Sequence, residues 1–120
     1  MLPKNNRLKK KKDFENIFKR GRSVKEDLLS FKWRPNGLKV SRFGFIVSQK
    51  VSKKATVRNK IKRRLREILK LNLPRLEKGI DGIFIAFPGS EERNFYDMEA
   101  SIKNIFIKTK ILKISNERLK

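Results

Sequence analysis

The sequence predicts a single α+β domain with one sheet and helices packed on it, and three observations carry that reading. Apolar residues recur at helical spacing in three stretches, near residues 12–20, 56–73 and 95–112. Between them lie short β-rich runs at Leu28 to Trp33, Phe43 to Val47 and Ile80 to Phe87. The chain has 120 residues, which suits one domain with a modest core of two packed layers.

Taken in order, residues 1–11 (MLPKNNRLKKK) are polar and lysine-rich without periodicity, and predict a basic flexible arm that orders on a polyanion. Phe14, Ile17 and Phe18 recur at i, i+3 and i+4, which predicts a short first helix over residues 12–20, ended by Gly21. Leu28-Leu29-Ser30-Phe31-Lys32-Trp33 alternates as a strand, Pro35-Asn36-Gly37 reads as a turn, and Phe43-Gly44-Phe45-Ile46-Val47 supplies another strand. These two runs are expected to pair as a hairpin. A long helix is expected from Thr56, placed as its N-cap, to Pro74, which cannot continue it. Ile80 to Phe87 reads as a buried strand ended by Pro88-Gly89. Met98, Ile102, Ile105 and Phe106 then keep helical spacing for a closing helix from Phe95 to about Leu112. The order is α, β, β with room for a further strand, α, β, α. Residues 12–114 form the expected domain and 115–120 a frayed tail.

Charge narrows the function. The formal charge is +21, beyond what solubility needs, and it is lopsided: residues 1–72 hold 24 basic and 5 acidic side chains, residues 73–120 only 9 and 7. A polyanion is the expected partner, bound mostly by the first 72 residues. The chain contains no Cys and no His, which excludes thiolate nucleophiles, imidazole bases, disulfides and the usual zinc sites. No signal peptide is apparent in MLPKNNRLKKKK, and the longest apolar run, Ile83 to Phe87, is too short to span a bilayer. The expected location is the cytoplasm, with no membrane partner.

The stretch VRNKIKRRLREI, Val57 to Ile68, holds six cationic residues in twelve without losing its apolar rhythm. On a helical wheel Val57, Ile61, Leu65, Ile68 and Leu69 share an arc of about 120° and predict the core side. Arg58, Asn59, Lys62, Arg63 and Arg66 fall in the neighbouring arc, with Lys60 and Arg64 on the far flank. A merely solvated face would mix signs, because like charges at i,i+4 weaken a helix, yet Glu67 is the only acid between Asp27 and Glu77. Phosphates relieve such repulsion. Arginine offers them a planar fork of donors, and Asn59 can hydrogen-bond a base edge, a sugar or a metal-bound water.

These residues carry a resemblance to the protein subunit of bacterial ribonuclease P. The segment Ala55-Thr56-Val57-Arg58-Asn59-Lys60-Ile61-Lys62-Arg63-Arg64-Leu65-Arg66-Glu67 resembles the family's "RNR" helix. Before it, Arg42-Phe43-Gly44-Phe45-Ile46-Val47-Ser48-Gln49-Lys50 is similar to the strand leading into "SKK". Asn6-Arg7-Leu8, Asp13-Phe14 with Phe18, and Gly21-Arg22-Ser23 match the family's opening helix and turn, so the match runs from residue 6 to about 112. Two positions depart from the pattern: Lys60 stands for the second Arg of "RNR", and Gln49 for a Lys of "SKK".

The resemblance implies an α+β two-layer sandwich in αβββαβα order, with a single four-stranded sheet and a left-handed βαβ crossover (ribosomal protein S5 domain 2-like), against the general right-handed rule. It implies a protein that assists a catalytic RNA in cutting the 5′ leader from precursor tRNA. No catalytic or metal-binding residue is then expected in the protein, and no tightly bound cofactor, with Mg2+ used by the RNA-containing holoenzyme. The partners implied are the catalytic RNA subunit and precursor tRNA, with no small-molecule substrate and a monomeric free protein. Arg58, Asn59, Lys60, Lys62, Arg63 and Arg66 are the candidates for binding the RNA subunit.

Phe14 and Phe18 share a helix face, and their spacing alone leaves core packing and ligand stacking both open. By the resemblance they line a cleft between the first helix and the sheet where the single-stranded leader runs, and stacking suits leaders of many sequences. Ser30, Lys32, Ser48 and Lys50 would point to the same strand by alternation with Leu29, Phe31 and Val47 in the core. Trp33 reads as hairpin packing ahead of stacking. Glu91, Glu92, Asp97 and Glu99, around the start of the last helix, read as capping chemistry ahead of a metal site. The alternative functions are a ribosomal or other structural RNA-binding protein, a stand-alone nuclease built on a carboxylate metal cluster, and nucleoid packing of DNA.

Overall fold

A computed structural model describes residues 2–112. Its elements are α1 (Lys11–Arg20), β1 (Arg22–Glu26), β2 (Leu29–Pro35), β3 (Arg42–Val47), α2 (Ala55–Asn72), β4 (Ile80–Ala86) and α3 (Phe95–Thr109). This is the αβββαβα order. One four-stranded sheet runs β1-β2-β4-β3, with β1/β2 and β2/β4 antiparallel and β3/β4 parallel, joined through α2 as a βαβ unit.

Sheet pairing corrects the expected hairpin. Residues 28–33 and 43–47 do not pair, because β4 lies between them. The apolar run of β4 is buried on both sides, which suits a central strand. The hairpin is instead β1–β2, turned at Asp27 with φ of 51°. Pro35-Asn36-Gly37 starts a crossing over the end of β4. Asn36 donates its N–H to the carbonyl of Gly79 and its side-chain amide to Val40 O and Asp81 Oδ1.

One face of the sheet carries the main core. Phe31, Phe43 and Phe84 pack there against Ile61, Leu65, Ile68 and Leu69 of α2 and Met98, Ile102, Ile105 and Phe106 of α3. The Phe31 and Phe84 ring centroids lie 4.5 Å apart. Gly82 makes the room, since a Cβ there would stand 2.4 Å from the Phe31 ring. On the opposite face, α1 buries Ile17 against Ile83 and Leu8. Phe14 packs closely against Gly44, where a Cβ would come within 2.6 Å of its ring.

The N-terminal segment also differs from the expected arm. Leu2 and Leu8 are buried, residues 4–6 make a single 3-10 turn, and Leu8 N–H donates to Phe43 O at 2.9 Å. Asn6 donates its side-chain amide to Ser41 O, and Arg7 Nε to Leu2 O. Two leucines among lysines carry no periodic signal, yet each finds a slot beside the edge strand β3. Met1, the expected domain end at 113–114 and the expected tail at 115–120 lie outside the described residues.

Charged ties fix the outer elements. Glu26 of β1 accepts from Lys108 and Asn104 of α3, and Asp27 accepts from Arg93. These hydrogen bonds hold both carboxyls below their ordinary values. At the start of α3, Asn94 and Asp97 form a reciprocal capping box, so that of the acidic cluster Asp97 takes the capping role at this helix. Glu91 accepts from Gly89 N–H, and Glu99 pairs with Lys103.

Candidate nucleic-acid interface

Helix α2 presents two distinct sides. Ile61, Leu65, Ile68 and Leu69 are buried and Val57 partly so, in the phase that the apolar rhythm predicts. Asn59, Lys60, Arg63 and Arg66 are exposed and Lys62 half-buried. None of Lys60, Lys62, Arg63 and Arg66 makes a salt bridge with a described carboxylate. Asn59, Arg63, Arg66 and Glu67 line a shallow groove along this side. The charge therefore faces outward and unneutralised, as a phosphate-binding surface requires.

Arg58 behaves differently from its neighbours. It sits at the margin of the apolar arc and is half-buried. Its Nη1 donates to the carbonyls of Ser52 and Lys53, both at 2.9 Å, and so ties the preceding loop to the helix. Thr56 is not the N-cap: the helix starts at Ala55, with Lys54 in the N-cap position two residues earlier, and no side chain caps it. Arg64, on the far flank, donates to Arg93 O at 2.9 Å and braces the approach to α3. Arg63 and Arg66 are thus the clean probes of the face. Replacing both with Ala is expected to weaken RNA binding and to reduce the log-log salt slope by about one unit per lost phosphate contact, at an unchanged melting temperature. Titrating RNA binding against salt for both proteins checks this, and for the unaltered protein the salt dependence is expected to be steep.

The second surface lies on the α1 side of the sheet. Register places Gly44, Ile83, Lys32 and Ser23 in one row across β3, β4, β2 and β1, and α1 lies over it. Phe18 is 45% exposed, and Lys32 Nζ sits 5.7 Å from its ring centroid. The next row, Ile46, Ile85, Ser30 and Lys25, lies on the same face beside α1, where the cleft is expected. Trp33 stands on the other face, stacked on Phe31 with centroids 5.6 Å apart, so Lys32 is the one that faces the cleft.

The cleft candidates are not equivalent. Phe14 is half-buried against Gly44, whereas Phe18 is the open ring. Ser30 is buried in the floor, and Ser48 is exposed just past β3. Lys50 does not follow by alternation: β3 ends at Val47, and Val51 N–H donates to Ser48 O, so Lys50 stands exposed in a turn.

The two surfaces meet over β3. Lys62 and Arg66 of α2 share a pocket with Arg7, Phe14, Gly44 and Phe45. A strand lying there would thus pass beside the Lys62 and Arg66 cations of α2. The position of α1 is set by a charged cluster that periodicity did not reveal. Arg42 donates to both carboxylate oxygens of the buried Asp81, at 2.9 and 2.6 Å, and reaches Asp13 of α1 at 3.4 Å. Asp81 raises the Arg42 pKa further. Among the described residues no group of His, Cys, Asp and Glu is placed to hold a metal ion, and no helix is long and apolar enough to cross a membrane.

Comparison with known proteins agrees with this geometry. A family model described as Ribonuclease P matches residues 2–110. The ribonuclease P protein component of Clostridium botulinum (strain 657 / Type Ba4) is 36% identical over 109 residues, covering 90% of this chain and 97% of the relative. That of Alkaliphilus metalliredigens is 33% identical, covering 92% and 99%. Among solved structures, the Staphylococcus aureus RNase P protein superposes with a TM-score of 0.82 at 29% identity, covering 90% of this chain and 98% of that one. The Thermotoga maritima RNase P protein, solved with 1-(4-fluorophenyl)-2-thiourea, gives 0.77 at 34%, covering 91% and 100%. With sequence and fold matched nearly end to end, this chain belongs to the ribonuclease P protein family.

Proposed function

We propose that this chain is the protein subunit of ribonuclease P, binding the catalytic RNA through the outward face of α2 and the 5′ leader of precursor tRNA in the cleft beside α1. The observation that carries this is the meeting of the two surfaces over β3, where Lys62 and Arg66 join Phe14 at one pocket. Asn59, Lys60, Lys62, Arg63 and Arg66 supply the donors to the RNA subunit, and Arg58 adds to them while holding its loop. Phe18 and Lys32 receive leader bases and phosphates, Phe14 backs the cleft wall, Ser30 belongs to its floor, and Ser48 and Lys50 stand at its rim.

The protein's part is positioning. With no His or Cys in the chain, imidazole and thiolate chemistry have no residue to use. Leader removal is carried out by the RNA subunit with Mg2+, and the protein alone is inactive. Holding the leader fixes the scissile bond relative to that centre, which converts binding energy into orientation. The free protein is a cytoplasmic monomer, kept apart from its own copies by its charge.

Sequencing the RNA that copurifies with the chain tests the reading. Recovery of ribonuclease P RNA, whose leader-cleaving activity at low salt rises when the protein is added back, is the expected result. Ribosomal RNA alone would turn the account toward a structural RNA binder, and nuclease activity of the RNA-free protein would reject it.

A further inference from the structure

On the same face of the sheet, beyond the row that α1 covers and toward the β1 edge, a second lysine lies on a second ring. Phe87 follows β4 and donates its N–H to Leu28 O at 2.9 Å. Alternation after Ile83 and Ile85 keeps its side chain on the α1 side. Lys25 Nζ lies 4.9 Å from the Phe87 ring centroid. Phe87 is half-buried, belongs to neither apolar core cluster, and pairs with no other ring among the described residues. Lys25 is exposed on the outermost strand.

The two lysine–ring pairs are in step. Lys32, over Phe18, sits in the row that α1 covers, while Ser30, the partner of Lys25, lies in the next row. The rows of the two lysines are two residues apart along β2, about 6.8 Å, while Phe87 itself bonds Leu28, four residues from Lys32 or about 14 Å along the strand. A single strand whose bases leave one another and stack on side chains can span such an interval. Each pair also holds both halves of a nucleotide site. The ring offers a face to a base, and the ammonium now resting on that face is free to move to the phosphate once a base displaces it.

We propose that Phe87 and Lys25 form a second nucleotide subsite, which takes an unpaired leader base at some remove from the one held at Phe18. The inference rests on the leader-binding reading and extends it to a second residue pair.

The test uses the protein assembled on the catalytic RNA, with precursor tRNAs whose leaders are shortened one nucleotide at a time. Affinities are measured for the unaltered protein and for Phe18→Ala, Phe87→Leu, Phe87→Trp and Lys25→Met. Phe87→Leu is expected to lose at least about fivefold in affinity, only for leaders long enough to reach the second ring, with Phe87→Trp retaining it. Lys25→Met, on an exposed position, is expected to lose affinity for the same leaders with a salt slope shallower by about one, and decides the matter if Phe87→Leu does not fold. If Phe18→Ala loses leader-dependent affinity while the Phe87 and Lys25 variants keep the unaltered profile, the second subsite is wrong and the cleft stands. If none of the variants changes the dependence on leader length, both fall. Equal weakening toward mature tRNA by Phe87→Leu would return Phe87 to a structural role.

Discussion

Phe18→Ala is expected to weaken binding of precursor tRNA by roughly 5- to 150-fold while leaving mature tRNA unaffected, the loss of one stacked base being about 1 to 3 kcal/mol. Only the precursor has a 5′ strand to lay in the cleft. Geometry separates this outcome from a packing effect. Phe18 is 45% exposed and its ring carries Lys32, so truncation removes little buried surface. Its helix-mate Phe14 lies against Gly44 and partly closes the smaller core, so Phe14→Ala would mix stability with binding. Affinity for both RNAs, measured on the assembled complex together with the melting temperature, gives the answer. A large drop in melting temperature would place Phe18 in the core.

Asp81→Ala is expected to lower folding stability by about 3 kcal/mol, a loss read from the denaturant midpoint at unchanged slope. Asp81 is 5% exposed and accepts hydrogen bonds from Arg42 and from Asn36. Its removal leaves the Arg42 guanidinium half-buried with only Asp13 at 3.4 Å, and leaves the Asn36 amide one acceptor short. Replacing Arg42 and Asp81 together by apolar residues of similar size is expected to recover much of the loss, since the cost lies in the orphaned charge more than in the missing pair. Because Asp13 belongs to α1, the single change should also loosen the cleft wall. Leader affinity is then expected to fall further than the folded fraction alone explains.

The readable parts of the sequence were those written in local periodicity. The phase of α2 follows from Ile61, Leu65, Ile68 and Leu69 recurring at helical spacing, and the exposed cations follow from the same wheel. Strand order is not local: the partner of each strand is chosen by burial in the finished sheet, so the apolar run of β4 took the centre and the expected hairpin dissolved. Leu2 and Leu8 carry no periodic signal in a lysine-rich segment, and only the folded sheet supplies the two cores that bury them. Asp81 sat inside an apolar run with nothing in its neighbourhood to announce Arg42, 39 positions away. Lys50 lies past the end of β3, so strand alternation does not set its direction. Arg58 lay on the border of the apolar arc, where a long side chain can fold back onto backbone carbonyls as readily as it can face solvent.

The central claim is that the protein recognises the leader and not the tRNA body. Its most direct test compares the affinity of the catalytic RNA for precursor and for mature tRNA, each with and without this protein. The account predicts that the protein raises affinity for the precursor selectively, and that the gain disappears as the leader is trimmed away. An equal gain for both tRNAs, independent of leader length, would contradict it.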